Sequence, residues 1–189
     1  MSGYVLWTNK IDPKANSVHA LKKFDDIDLL DEGESLIKSF PKSAFFQLRT
    51  NFDKFIDNMN NVSSLIVISE GLMKFLETRD ISNVEMIPIK IKDIKGKSIK
   101  EKYFIVNVLD HQDCLDHEAS GAKYSQVLDY IVEKVKKYIF KKGKLNKKLD
   151  IFKVEDFPYH TFVSSSLAKE IDSKGFTGIK WKKATITNI

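Results

Sequence analysis

The sequence holds a single cysteine, Cys114, in 189 residues. An internal disulfide is therefore excluded, as is any cluster of several thiolates. Only two of the 31 basic residues are arginines, Arg49 and Arg79. Bidentate recognition of phosphates and base edges favours the guanidinium fork, so the lysine excess reads as a solvated surface. The four prolines and eight glycines are scattered. They form no GxGxxG or GxxxxGKS/T phosphate loop, and no GxSxG nucleophile elbow is present. No apolar run approaches the length that spans a bilayer. Met1 to Lys10 carries no basic lead and no long apolar stretch, so it does not read as a signal peptide. These absences point to a reduced, cytoplasmic protein with no membrane partner.

What is present is enough for a sizeable core: 42% of residues are hydrophobic, among them 13 phenylalanines. The length suits one domain over 1–189. Net charge is +5 and the pI about 9.0, which permits a nucleic-acid partner without arguing for one. Two stretches echo each other, Ser64 to Leu76 and Thr161 to Ile171. Each reads as a short apolar strand, a serine and an amphipathic helix. Aligned on Ser69 and Ser164, Leu72 matches Leu167, Ile81 matches Phe176, Val84 matches Ile179 and Met86 matches Trp181. The expected fold is α+β: a single domain with a central mixed sheet, few helices and two similar strand–helix–strand units, about 64–91 and 160–186.

Local chemistry fills in this frame. Ser69 and Ser164 are placed to cap their helices by accepting from free first-turn amides. Gly175 sits where the second helix should stop. Strands are expected at Tyr4–Trp7, Ala44–Leu48, Leu65–Ile68, Val84–Ile91, Lys102–Leu109, Ile151–Val154 and Gly178–Lys183, with a hairpin turn at Asp93–Lys97. The spacing of Phe52, Phe55, Ile56 and Met59 predicts a helix after Asn51. That of Val127, Leu128, Ile131, Val132, Val135, Tyr138 and Ile139 predicts another within Ser125–Phe140. The tail to Ile189 is expected to fray.

Three segments hold residues with functional chemistry. Asp25, Asp26, Asp28, Asp31, Glu32 and Glu34 form an acidic stretch around Phe24, Ile27, Leu29 and Leu30. It reads as a solvated loop with apolar anchors, or as a patch for a basic partner. His111 to Glu118 gathers two histidines, Cys114, two aspartates and a glutamate, but His111 and His117 are six apart and no HExxH or paired CxxC spacing occurs. A polar exit loop accounts for this run better than a metal-dependent hydrolase does, and no cofactor is implied. Lys134 to Lys148 carries eight lysines with Tyr138 and Phe140 among them. It is the stretch a nucleic-acid-binding domain would use, although lysines without arginine favour a solvated face.

Several phrases, in order, resemble one bacterial family. Asp31-Glu32-Gly33-Glu34-Ser35-Leu36 is similar to its early EGxSL motif. Phe52 to Asn58 followed by Leu65 to Ser69 resembles its D-F/L-IxN and LVVS core. Tyr103 to Leu109 with Asp113-Cys114-Leu115-Asp116 is similar to its NVL and DxLD segment. Ile151 to Val154, Phe162-Val163-Ser164 and Phe176 to Ile179 resemble its closing phrases. The family is the eleventh of the immunity proteins of bacterial polymorphic toxin systems. The resemblance runs from about Asp31 to Trp181, and the first thirty residues and Ser125 to Lys148 depart from it. It implies a non-catalytic cytoplasmic protein that binds and neutralises a cognate toxin by direct contact; charge, not the resemblance, makes Asp25 to Glu34 the candidate contact.

Overall fold

The computed structural model describes residues 3–187. In chain order the elements are β1 (Tyr4–Asn9), β2 (Ser17–Val18), β3 (Phe45–Gln47), β4 (Asn60–Asn61), β5 (Val67–Ser69), α1 (Glu70–Glu77), β6 (Val84–Lys92) and β7 (Tyr103–Val108). They continue with β8 (His111–Gln112), α2 (His117–Ser120), β9 (Lys123–Tyr124), β10 (Val132–Lys134), β11 (Tyr138–Lys141), β12 (Ile151–Val154), β13 (Phe157–Ser164), α3 (Ser165–Ser173) and β14 (Ile179–Thr187). The architecture is mixed α/β with few helices. A six-stranded sheet runs β11-β14-β1-β13-β12-β8, and a four-stranded sheet runs β3-β6-β7-β5. Both are mixed: β11 is parallel to β14, β8 to β12 and β3 to β6, while the other pairs are antiparallel.

Each echoing stretch takes its helix from one strand to another and leaves a lane open between them. β5 and β6 both pair with β7, antiparallel, so they run parallel with β7 between them. β13 and β14 both pair with β1 in the same manner. The ends of the lanes are tied alike. Tyr103 donates its hydroxyl to the Ile56 carbonyl at 2.9 Å, and Tyr4 donates to that of Leu149 at 3.0 Å. The Ser69 amide donates to the Asp57 carbonyl at 2.8 Å, and the Ser164 amide to that of Asp150 at 2.7 Å. At the far ends, the Leu109 amide meets the Asn83 carbonyl and the Lys10 amide meets that of Gly178, both at 2.9 Å.

The helices begin where a side chain can take up their free amides. Ser69 Oγ accepts from the Leu72 amide at 3.3 Å, and Ser164 Oγ from the Leu167 amide at 3.2 Å. Each hydroxyl also donates to a carboxylate, Asp57 and Asp150 respectively. Helices of eight and nine residues are too short to persist alone. They persist because both lie between the sheets, packed on Trp7, Ile66, Ile68, Val106, Ile151 and Val163. Leu72, Leu76, Leu167 and Ile171 are each 3% exposed or less, worth about 2 kcal/mol apiece in burial. The outer faces have their own cores, one around Phe46, Ile87, Ile91 and Ile105, the other around Leu6, Phe140, Phe152 and Phe162.

Three expectations are corrected. No helix follows Asn51. That segment is extended because distant groups take its backbone: the Phe52 amide goes to Asn16, the Asp57 amide to Thr177 Oγ1, the Asn58 amide to the Thr177 carbonyl and the Met59 amide to that of Val67. Ser125–Phe140 holds β10 and most of β11 rather than a helix. Its valines, isoleucines and tyrosines suit strands, and its helical stripe includes Val127, which is 89% exposed. The tail does not fray before Thr187, since β11 pairs with β14 from Ala184 to Thr187. Asn188 and Ile189 lie outside the described residues.

Replacing Ser69 or Ser164 by alanine removes a cap and should cost about 1 kcal/mol of stability, seen as a lower urea midpoint with an unchanged m-value. His160 offers a test by pH. Burial, together with the charges of Lys182 and Lys153, pushes its pKa down to about 4 from 6.5. Its ring stacks on Phe157 at 4.2 Å. Protonation is then favoured in the unfolded chain, so stability should fall as the pH drops from about 6.5 towards 4, by on the order of 2 kcal/mol. A His160→Phe variant should lose less over the same interval in denaturant titrations.

Candidate functional site

The acidic stretch winds into a 3-10 helical turn, Ile27–Asp31. Phe24, Ile27, Leu29 and Leu30 pack inward against the core of the four-stranded sheet. Asp25, Asp26, Asp28, Glu32 and Glu34 are exposed, and none of the five is paired with a basic side chain among the described residues. The apolar residues anchor the turn and the carboxylates project from it.

Asp31 differs from its neighbours. It forms an ion pair with Lys153 of β12, whose side chain is 6% exposed. Lys153 Nζ also donates to the Leu30 carbonyl at 2.8 Å. Burial lowers the Lys153 pKa and raises that of Asp31, and in each case the partner's charge only partly offsets it. Asp31 is thus the fastening of the turn, not part of its free acidic face. The signal for this was a lysine inside the otherwise apolar run Ile151 to Val154, because a charge within a buried strand demands a partner.

The other clusters disperse. His111 lies on β8 beside β12, whereas His117 pairs with Asp156. Burial, and then the nearby Asp113, pushes the buried Cys114 thiol up to about 12, which makes it a poor nucleophile. Among the described residues, no three or more His, Cys, Asp or Glu side chains converge on a metal position. In the lysine stretch, Lys144 pairs with Asp113. Tyr138 and Phe140 pack edge-on against Phe162 and are not free to stack on bases. A lysine-bordered groove lies elsewhere, between Pro41, Pro88, Ile99 and Phe104, with Lys42, Lys90 and Lys100 around it. No helix among the described residues is long and apolar enough to cross a membrane.

The fastening can be tested by removing each end of the ion pair. Asp31→Ala leaves a buried ammonium with only a carbonyl and should cost about 3 kcal/mol. The double variant Asp31→Leu with Lys153→Met should recover most of that loss. Denaturant unfolding of both single variants and the double variant measures the coupling.

The search of curated proteins finds no match. The model of the Imm11 immunity protein family matches residues 9–185, nearly the whole chain. On that match, the chain belongs to the Imm11 immunity protein family.

Proposed function

We propose that this chain protects its cell by binding a cognate toxin domain directly, in the cytoplasm and without catalysis of its own. Membership of an immunity family over nearly its full length is the observation that carries this reading. The acidic turn is the proposed contact. Its five exposed carboxylates stand on a base held by a buried ion pair and an apolar underside. Little ordering is then left to be done on binding. The chain as a whole carries +5, so a basic toxin would be repelled by most of its surface and drawn to this turn. Such a charge asymmetry orients the encounter and raises the association rate.

The reading is tested with the toxin domain encoded beside this chain. Co-expression should restore growth of cells that make the toxin, and the purified proteins should form a stable complex. Neither protection nor complex formation by the wild-type chain would refute it. The triple charge reversal of Asp25, Asp26 and Asp28 to lysine should slow association about tenfold at low salt. Thermal unfolding should barely change, because all three side chains are exposed.

A further inference from the structure

Half of the exposed large apolar side chains among the described residues lie on the β9–β10 hairpin, its tip and β13. Ten such residues are exposed among those described, and five of them are Tyr124, Val127, Leu128, Tyr130 and Tyr159. The first four belong to the β9–β10 hairpin and its tip, and Tyr159 belongs to β13. The β12–β13 hairpin holds these parts together. Lys153 on β12 grips the acidic turn through Leu30 and Asp31. The Val132 amide on β10 donates to the Asp156 carbonyl, in the turn joining β12 to β13, at 2.6 Å. Tyr159 stands in the irregular stretch of β13 where the register with β12 shifts after Lys153.

Tyr159 lies within electrostatic reach of both the acidic turn and the hairpin tip. The Tyr159 phenol is held above its usual pKa, first by burial and then by Asp31, Asp28 and Tyr130. The hairpin tip is also ordered so that its apolar residues stay outside. Ser125 Oγ accepts from the amides of Val127 and Leu128 at 3.2 and 3.3 Å. The Ser125 amide donates to the Ile131 carbonyl at 2.8 Å, and the Ile131 amide to that of Leu128 at 2.9 Å. Val127, at 89% exposure, is therefore presented by a closed turn and does not fold back onto the core.

We infer that the β9–β10 tip, Tyr159 and the acidic turn form one docking surface for a lysine- or arginine-bearing face of the toxin domain. Tyrosines supply broad contact area with few rotatable bonds, and they are enriched among residues that dominate binding energy. Their ring faces also receive cations. Asp28, within electrostatic reach of Tyr159, adds a carboxylate's field to the ring, which matches a basic partner and disfavours an acidic one. The inference rests on the immunity reading above and adds the aromatic anchors to it. It also brings together the two segments, residues 1–30 and 125–148, that depart from the family's phrases.

The experiment titrates a catalytically inactivated form of the adjacent toxin domain with the full-length chain. It compares wild type, Tyr130→Ser, Tyr159→Ser, the pair Val127→Ser with Leu128→Ser, and Ile94→Ser as a control at another exposed turn. Melting curves establish that each variant is folded. The tyrosine variants should each weaken binding at least tenfold, with the control unchanged. If wild type and all variants bind equally, the docking surface is wrong while the immunity reading stands. If wild type neither binds nor protects, both fall. A wild-type dimer that Tyr130→Ser turns into monomer, with toxin binding intact, would assign the surface to self-association and overturn the inference. Loss of binding to generic RNA in the tip variants, again with toxin binding intact, would overturn it too.

Discussion

Two parallel strands joined by a helix and held one lane apart present facing rows of unpaired amides and carbonyls. Buried backbone groups cannot be left so, and nothing within either strand–helix–strand segment can fill its own lane. β7 fills the lane between β5 and β6, and β1 fills that between β13 and β14. Much of the remaining structure depends on these insertions. β1 sends Val5 and Trp7 towards the helices and Tyr4 and Leu6 to the outer core. β7 does the same with Val106 and Val108 on one face and Tyr103 and Ile105 on the other. Each inserted strand therefore stitches two layers of core, and the helices keep their places only while the lanes are full.

The surface proposed for function lies away from this stitched centre. It rests on the β12–β13 hairpin, from which Lys153 reaches the acidic turn and Asp156 reaches β10. A buried ion pair is a weak source of stability, because the desolvation of both charges opposes their attraction. Its use here is positional. Lys153 takes both the Leu30 carbonyl and the Asp31 carboxylate, so it holds the turn against β12.

Much of the fold could be read from the sequence because the informative residues act locally. Ser69 and Ser164 announce their caps, Gly175 its left-handed turn (φ +76°), and the stretch Tyr103 to Val108 a strand. The segments misread were those whose partners are distant. Asn51 to Met59 has helical spacing, but Asn16 and Thr177, far away in sequence, take its amides. Ser125 to Phe140 has a helical stripe by coincidence, for Val132 of that stripe is buried while Val127 stands in solvent. The candidate surface was half legible. A run of six acids shows itself in sequence, but nothing there separates the fastened Asp31 from its free neighbours. Nor does it bring Tyr130 near Tyr159, since the hairpin is docked by Val132, buried in the core with its amide on the distant Asp156 carbonyl.

β1 has a consequence for the life of the chain on the ribosome. It is made among the first ten residues, yet both of its neighbours, β13 and β14, are made after residue 156. The four-stranded sheet needs nothing made later than Val108 for its strands, so it can pair while synthesis continues. The six-stranded sheet can only close once β14 has emerged, when β1 is drawn between two strands made much later than itself. Contacts so distant in sequence make closure slow relative to local pairing. Until then Trp7, Leu6 and the inner faces of β13 and β14 are uncovered, and a truncated product lacking β14 would leave one flank of β1 open.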